Sequence, residues 1–163
     1  MKIGVVADTH SRLVPKQLLD DFKTVDLIVH AGDFCSTADL KIFKKIKKVR
    51  AVFGNMDGLE LRQILPERDV FEVEGITIGL CHGHGSPEKV LEAVKAEFGK
   101  DDVDVVIFGH SHHPVNETIG SVLYFNPGSP NDVVRAPYCS YGVLEIKNGT
   151  VFGKIIKVKD NNG

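Results

Sequence analysis

Aspartate, asparagine and histidine residues recur in short polar motifs, each directly after an apolar run. The most concentrated motif is FGHSHH, residues 108–113, in which three of six residues are histidine. Taken alone, this motif is as consistent with a polar loop that carries surface histidines as with a functional site. Similar motifs, DTH, GD, GNMD and HGH, follow four other apolar runs. Together the motifs supply these side chains: Asp8, His10, Asp33, Asn55, Asp57, His82, His84, His110, His112 and His113.

The chemistry that these side chains share is metal binding. A single Asp or Asn at a strand end usually forms a turn or caps a helix, but that explanation would have to hold at all five strand ends. Carboxylate, amide and imidazole donors together suit divalent transition ions. About seven such donors exceed the needs of one ion and fit two ions roughly 3.5–4 Å apart, bridged by a carboxylate. The motifs therefore predict a dinuclear centre able to attack a phosphoryl group.

Competing chemistries fit the sequence less well. Ser11, Ser86 and Ser111 lie near the motifs, but none belongs to a GxSxG nucleophile elbow. No GxxxxGK[ST] or GxGxxG loop is present to cradle a nucleotide. The three cysteines lack CxxC spacing, which argues against a disulfide framework and a thiolate zinc site and favours a cytoplasmic location.

Parallel strands must position the motifs, because the carboxyl ends of such strands line one crevice. The first two thirds of the chain alternates short apolar runs with amphipathic helix patterns, which predicts crossover connections and parallel pairing. Predicted strands span residues 2–7, 27–31, 50–53, 70–73, 77–81 and 103–108. Predicted helices span residues 15–22, 37–47 and 87–98, with a short helix around 60–65.

The pattern changes after Pro114. Segments 122–128, 140–146 and 151–158 read as strands, and Asn-Gly within residues 147–150 is a hairpin signal. An antiparallel second part is therefore expected. The fold class that we predict is α/β, a four-layer α/β/β/α sandwich of two packed mixed sheets with helices outside, forming a single domain over residues 1–163.

Composition narrows the choice of partners. With 163 residues, 42% of them hydrophobic, the chain can bury a substantial core. The formal net charge of −2 gives no strong nucleic-acid signal, and the basic run at residues 41–48 reads as a solvated helix face. No apolar stretch reaches the ~18 residues of a membrane span, and the N-terminal segment is a strand pattern rather than a signal peptide. A small-molecule substrate is the expected partner.

The five motifs, in this order and at strand ends, resemble those of the calcineurin-like metallophosphoesterases. NPGS at residues 126–129 is similar to the small bacterial and archaeal phosphodiesterase branch, and the resemblance covers nearly the whole chain. It implies two divalent metal ions, with manganese the first choice and nickel, iron, cobalt or zinc as alternatives. It also implies a first metal site of Asp8, His10 and His112, a second of Asn55, His82 and His110, and Asp33 as the bridge.

What the resemblance implies for activity is hydrolysis of small phosphodiesters by a metal-activated hydroxide, with Asn55 and His84 as catalytic residues. His84 could equally be structural, His30 is expected beneath the site or in the core, and His113 at the surface. The chain departs from the protein-phosphatase branch at Met56, where that branch carries a proton-donating histidine. It also lacks that branch's GDxVDRG arginine, so phosphoprotein substrates are not expected and good leaving groups should react best.

Two alternatives remain open at this point. The phosphoesterase-like subunit of retromer is similar in size and in the HGH and NPGS regions; there the fold is a protein-binding scaffold with an incomplete metal set. A metal-dependent nuclease is the other alternative. The sequence is compatible with a homo-oligomer and does not determine the substrate or the native metal.

Overall fold

The computed structural model describes residues 1–159, four fewer than the predicted domain, and consists of two five-stranded mixed sheets with helices. The first sheet has the order β10 (Thr150–Lys157), β9 (Ser140–Lys147), β1 (Lys2–Val6), β2 (Leu27–His30) and β3 (Val49–Ala51). The second has the order β4 (Arg68–Val73), β5 (Ile76–Cys81), β6 (Val105–Ile107), β8 (Val122–Asn126) and β7 (Val115–Ile119).

Alternation along the strands builds the core. Ile3 and Val5 of β1 face a cluster shared with Ile78, Leu80 and Ile107 of the other sheet. Val6, the residue after Val5, faces the opposite way into a second cluster that contains helical side chains. Because successive side chains of a strand point to opposite faces, each central strand contacts both the facing sheet and a helix layer, which explains its continuous apolar sequence.

Helices cover the outer faces. Helices α1 (Lys16–Phe22), α2 (Thr37–Lys44) and α3 (Leu59–Ile64) contribute buried residues to the cluster outside the first sheet. Helix α4 (Val90–Phe98), preceded by a 3-10 turn (Pro87–Lys89), packs outside the second sheet. The predicted four-layer α/β/β/α sandwich is confirmed. In the part of the chain that the structure describes, no helix is both long and apolar enough to span a bilayer.

The sheet directions place the polar motifs together. Strands β1, β2 and β3 are parallel to one another, as are β5 and β6. Their carboxyl ends lead directly into the five motif loops, so one edge of the sandwich collects all of them.

Three details differ from the predictions. Strand β7 was not predicted, because its central residues Asn116, Glu117 and Thr118 are exposed at the sheet edge and give no apolar signal. The second part is not wholly antiparallel, since β8 pairs parallel with β6 while the β9–β10 hairpin is antiparallel. Helix α2 ends three residues earlier than predicted, at Lys44.

Candidate metal centre

Side chains from both sheets converge on two buried carboxylates. Asp8 Oδ1 lies 3.4 Å from His112 Nε2 and 3.9 Å from both His10 Nε2 and His82 Nε2. Asp33 Oδ2 lies 3.3 Å from His82 Nε2 and 3.7 Å from His10 Nε2. Residues more than a hundred positions apart in the sequence, such as Asp8 and His112, thus meet within 4 Å.

A second group of donors adjoins the first. Asn55 Oδ1 is 3.0 Å from His82 Nε2 and 3.0 Å from His110 Nδ1. The structure therefore brings together all seven predicted ligands. Asp33 lies between the group of Asp8, His10 and His112 and the group of Asn55, His82 and His110. Asp8 is also close to both groups, so geometry alone permits either carboxylate as the bridge.

Three of the imidazoles are held through the nitrogen that faces away from the centre. His82 Nδ1 donates to the Ala31 carbonyl at 2.7 Å, His110 Nε2 to the Gly85 carbonyl at 2.8 Å, and His112 Nδ1 to Asp132 Oδ2 at 2.5 Å. Such outward hydrogen bonds fix the tautomer and ring orientation of metal-binding histidines. The other ring nitrogen of each is directed at the cluster, where a lone pair can bind a cation.

The inward-facing atoms are poorly matched to each other. His10 Nε2 and His112 Nε2 lie 3.1 Å apart. Asp8 Oδ1 is buried and has no hydrogen-bond partner among residues 1–159, whereas Oδ2 accepts the His110 backbone N–H at 3.0 Å. An unpartnered buried carboxylate oxygen carries a desolvation cost of a few kcal/mol or more. A shared cation would satisfy these groups, so the donor set fits divalent metals.

The pKa shifts also indicate that the site favours bound positive charge. Burial lowers the pKa of His82, but Asp33 and Asp8 outweigh this and raise it to about 9. Burial raises the pKa of Asp33, while His82 more than compensates and leaves it below its usual value. Burial also lowers the pKa of His112, and Asp8 and Asp132 raise it above the ordinary range. The carboxylates favour positive charge at these imidazoles, which a metal would supply in place of protons.

The backbone at the site is strained. Five residues of the cluster adopt a left-handed conformation that side-chain-bearing residues rarely populate: Asp8, His10, Asp33, His110 and His112, with φ between 49° and 67°. Hydrogen bonds from the backbone N–H groups of Asp8 and His10 to the carbonyls of Gly32 and Asp33, each 3.0 Å long, hold these turns. Strain of this kind concentrates at functional sites, where the surrounding structure maintains it.

Asp57 joins two of the motif loops. Its carboxylate accepts backbone N–H bonds from Asp33 at 2.9 Å, Cys35 at 2.7 Å and Gly54 at 2.8 Å. Gly54 is required for this approach, because a Cβ there would lie 2.1 Å from Asp33 Oδ1. The carboxylate of Asp57 thus orients the loops that carry Asp33 and Asn55.

Alanine at position 57 should therefore weaken metal binding without touching a ligand. The change leaves three backbone N–H groups unpaired, two of them buried, and each buried unpaired donor costs about 1–3 kcal/mol. We expect a lower melting temperature and a 10–100-fold loss of metal affinity, the usual range for partners that orient ligands. Thermal unfolding and metal titration measure both effects. Unchanged metal affinity in a folded Asp57→Ala protein would contradict the orienting role.

The NPGS segment braces the site from the second sheet. Asn126 Nδ2 donates to the Gly109 carbonyl at 2.9 Å, and Ser129 Oγ donates to the Asp8 carbonyl at 2.9 Å. The loop then delivers Asp132, whose Oδ1 accepts the backbone N–H groups of Val134 and Arg135 while Oδ2 holds His112.

Asp132 is a site residue that sequence reasoning missed. It follows no apolar run, and an aspartate beside Asn131 in a Pro- and Ser-containing loop has the appearance of a turn former. Its only signal is its position three residues after NPGS.

The remaining motif residues lie outside the two donor groups. His84 is exposed and lines a cavity beside Asn55 and His82. His30 is fully buried, with Nε2 3.2 Å from Thr9 Oγ1. His113 is exposed. Met56 is 59% exposed and contributes only its backbone N–H, which donates to Asp33 Oδ1.

Comparisons with known proteins agree with this geometry. The family model described as the calcineurin-like phosphoesterase superfamily domain matches residues 1–149. A probable metallophosphoesterase of Methanocaldococcus jannaschii is 37% identical over 169 residues, covering 98% of this chain and 83% of that protein. A phosphodiesterase of the same organism is 32% identical over 144 residues, covering 78% of this chain and 83% of its own length.

Solved structures show the same fold. Vps29 of Entamoeba histolytica, crystallised with zinc, has a TM-score of 0.78 and 27% identity, covering 96% of this chain and 99% of that one. An archaeal phosphodiesterase has a TM-score of 0.77 and 27% identity, covering 96% of this chain and 100% of its own. Enzymes and a protein named for vacuolar sorting are therefore both among the structural relatives.

Proposed function

Because the chain belongs to the calcineurin-like phosphoesterase superfamily, we propose that it is a phosphodiesterase that hydrolyses small phosphodiesters with two bound divalent metals. The observation that carries this proposal is the set of anchored imidazoles directed at two buried carboxylates and at Asn55. An enzyme is favoured over a scaffold because all seven donors are present and converge. The cysteine usage favours a cytoplasmic location, and we treat residues 1–163 as one domain of this family.

We assign the first metal to Asp8, His10 and His112, and the second to Asn55, His82 and His110, with Asp33 between them. Manganese is our first choice, with nickel, iron, cobalt or zinc as alternatives. When bound, two such ions supply a hydroxide at neutral pH and neutralise the charge of the phosphoryl group. With the metals bound, the rate of hydrolysis then depends on how side chains of this protein orient the substrate.

Asn55 and Asp132 have distinct roles in that orientation. With its Oδ1 directed at His82 and His110, exposed Asn55 has its Nδ2 hydrogens available to donate to a phosphoryl oxygen. Asp132 holds His112 in one tautomer, so that Nε2 stays directed at the cluster. The first residue touches substrate, whereas the second acts only through the histidine.

A metal-by-substrate screen tests the proposal. Metal-free protein would be reloaded with each candidate ion and assayed on bis(p-nitrophenyl) phosphate, p-nitrophenyl phosphate, a cyclic nucleotide and a single-stranded oligonucleotide. We expect the diester to be cleaved fastest, with two metals bound per chain. Full activity after chelation would overturn the metal requirement, and preferential cleavage of the oligonucleotide would favour the nuclease alternative.

A protein-binding scaffold is the second candidate, supported by the similarity to Vps29. Metal content alone does not separate the two functions, since that Vps29 was crystallised with zinc. The scaffold would be favoured if the metal-loaded wild type cleaves none of the phosphoesters and the Asn55→Ala variant is equally inactive.

A further inference from the structure

A cavity of about 250 Å³ opens beside the second group of donors. It is smaller than the roughly 300–1,000 Å³ of sites for drug-sized ligands, so a single ring or a short chain fits it. Asn55 and His82, which belong to that donor group, form its end at the metal centre, and His84 also lines it. The other walls include Phe53, Arg62, Glu67 and Glu97.

Arg62 is fixed against one wall. Its Nε donates to the Asp57 carbonyl at 2.7 Å, and Nη2 donates to the carbonyls of Gly54 and Asn55 at 3.1 and 3.2 Å. The guanidinium carbon lies 4.5 Å from the centre of the Phe53 ring. A guanidinium has five N–H donors, and the two on Nη1 have no acceptor in the described part of the chain. Arg62 therefore offers two preoriented donors to a ligand.

Carboxylates supply acceptors in the same cavity. Glu67 is exposed and has no ion-pair partner among the described side chains. Glu97 is partly buried, and its Oε1 lies 3.8 Å from Arg68 Nε. The cavity thus combines carboxylate oxygens, guanidinium hydrogens and an aromatic ring.

Few ligand classes satisfy this combination. A second phosphate would face two carboxylates. An apolar group would leave the Nη1 hydrogens of Arg62 and the carboxylate of Glu67 desolvated without partners. Vicinal hydroxyls both donate and accept, so they can pair with Glu67 and with Arg62 at once. The carbon skeleton of a sugar can then lie against Phe53.

We propose that this cavity binds a hydroxyl-rich ester group of the substrate, a sugar or another polyol, joined to the phosphoryl group at the metal centre. The inference rests on the proposed phosphodiesterase function, because Asn55 and His82 form both the end of the cavity and part of the second donor group. Selectivity among phosphodiesters then comes from Glu67 and Arg62 rather than from the metal ligands.

Two p-nitrophenyl phosphodiesters test this assignment, one carrying methyl and the other glucose through O6. For the wild-type holoenzyme we expect kcat/KM to be at least about tenfold higher for the glucose ester, since hydrogen bonds to charged groups give gains of this order. Glu67→Ala should bring the ratio close to one. The matched control Glu92→Ala, exposed on α4, should keep the wild-type ratio.

Equal kcat/KM values for the two esters in the wild type, or a glucose preference retained in Glu67→Ala, would overturn the assignment. If neither ester is cleaved, the proposed function fails, and binding still decides the role of the cavity. Calorimetry on the zinc-loaded protein should show glucose 6-phosphate binding about tenfold tighter than methyl phosphate, and Glu67→Ala should remove the difference. Equal affinities in the wild type would exclude the sugar site.

Discussion

Replacing Asp33 with asparagine or alanine should remove at least one metal and nearly all activity. Asp33 Oδ2 lies 3.7 Å from His10 Nε2 and 3.3 Å from His82 Nε2, so its charge serves both donor groups. Losing one hydrogen-bond donor of an oxyanion hole typically costs about 10²–10³-fold in kcat. Loss of a divalent ion, which would neutralise more phosphoryl charge than one such donor, should cost more. We therefore expect kcat/KM on bis(p-nitrophenyl) phosphate to fall by more than about 10³-fold.

Asparagine is the more informative of the two replacements. Asp33 has a φ of 60°, and asparagine tolerates this left-handed region better than alanine does. Asp33→Asn therefore removes the charge with little added backbone strain. Metal analysis of the purified variant gives the stoichiometry directly.

A control for this experiment must lie outside the site. Asp39, which the sequence places on a helix, is unsuitable, because it is buried and its carboxylate accepts the Ser11 backbone N–H at 2.8 Å. Asp102 is exposed in the loop before β6, and Asp102→Ala should retain both metals. Two metals per chain in Asp33→Asn would show that the bridge is misassigned, leaving Asp8 as the carboxylate between the groups.

The convergence of the seven proposed ligands could be predicted from sequence because two local properties coincide at each of them. Each of the seven follows a buried apolar run that defines a strand, and each has a side chain that binds metals. Parallel pairing aligns the strand ends within each sheet, and packing of the two sheets then brings the ends of β1 and β6 together, although Asp8 and His110 are 102 residues apart. Strand order and side-chain chemistry were sufficient for this part of the site.

Residues that orient the proposed ligands or the substrate through hydrogen bonds gave no comparable signal in the sequence. Asp132 and Arg62 lie outside the motifs, and their roles depend on contacts with His112 and with the carbonyls of the Asn55 loop. Those contacts are set by the path of loops, which no periodicity encodes. The same reason explains β7, a polar strand at a sheet edge that contributes little to the core.

The rate of hydrolysis should depend steeply on the leaving group. Position 56, which carries a proton-donating histidine in the protein-phosphatase branch, holds a methionine whose side chain is 59% exposed and cannot donate a proton. General acid catalysis typically contributes ~10²–10⁴-fold. Without it, an alkoxide must depart unprotonated, whereas an aryl oxide departs as a stable anion. Activated aryl phosphodiesters should therefore be cleaved at least about 10²-fold faster than alkyl ones.

A series of methyl aryl phosphodiesters with leaving groups of increasing pKa measures this dependence through kcat/KM. A flat dependence, with chemistry shown to be rate-limiting, would reveal a proton donor elsewhere in the site. His84 is then the first candidate, because it lines the same cavity as Asn55 and His82 while lying outside both donor groups. In that case His84→Ala should restore the steep dependence and leave both metals bound, since no assigned ligand is lost. His113→Ala is the matched control: its exposed imidazole does not line the cavity, so the variant should keep the flat profile.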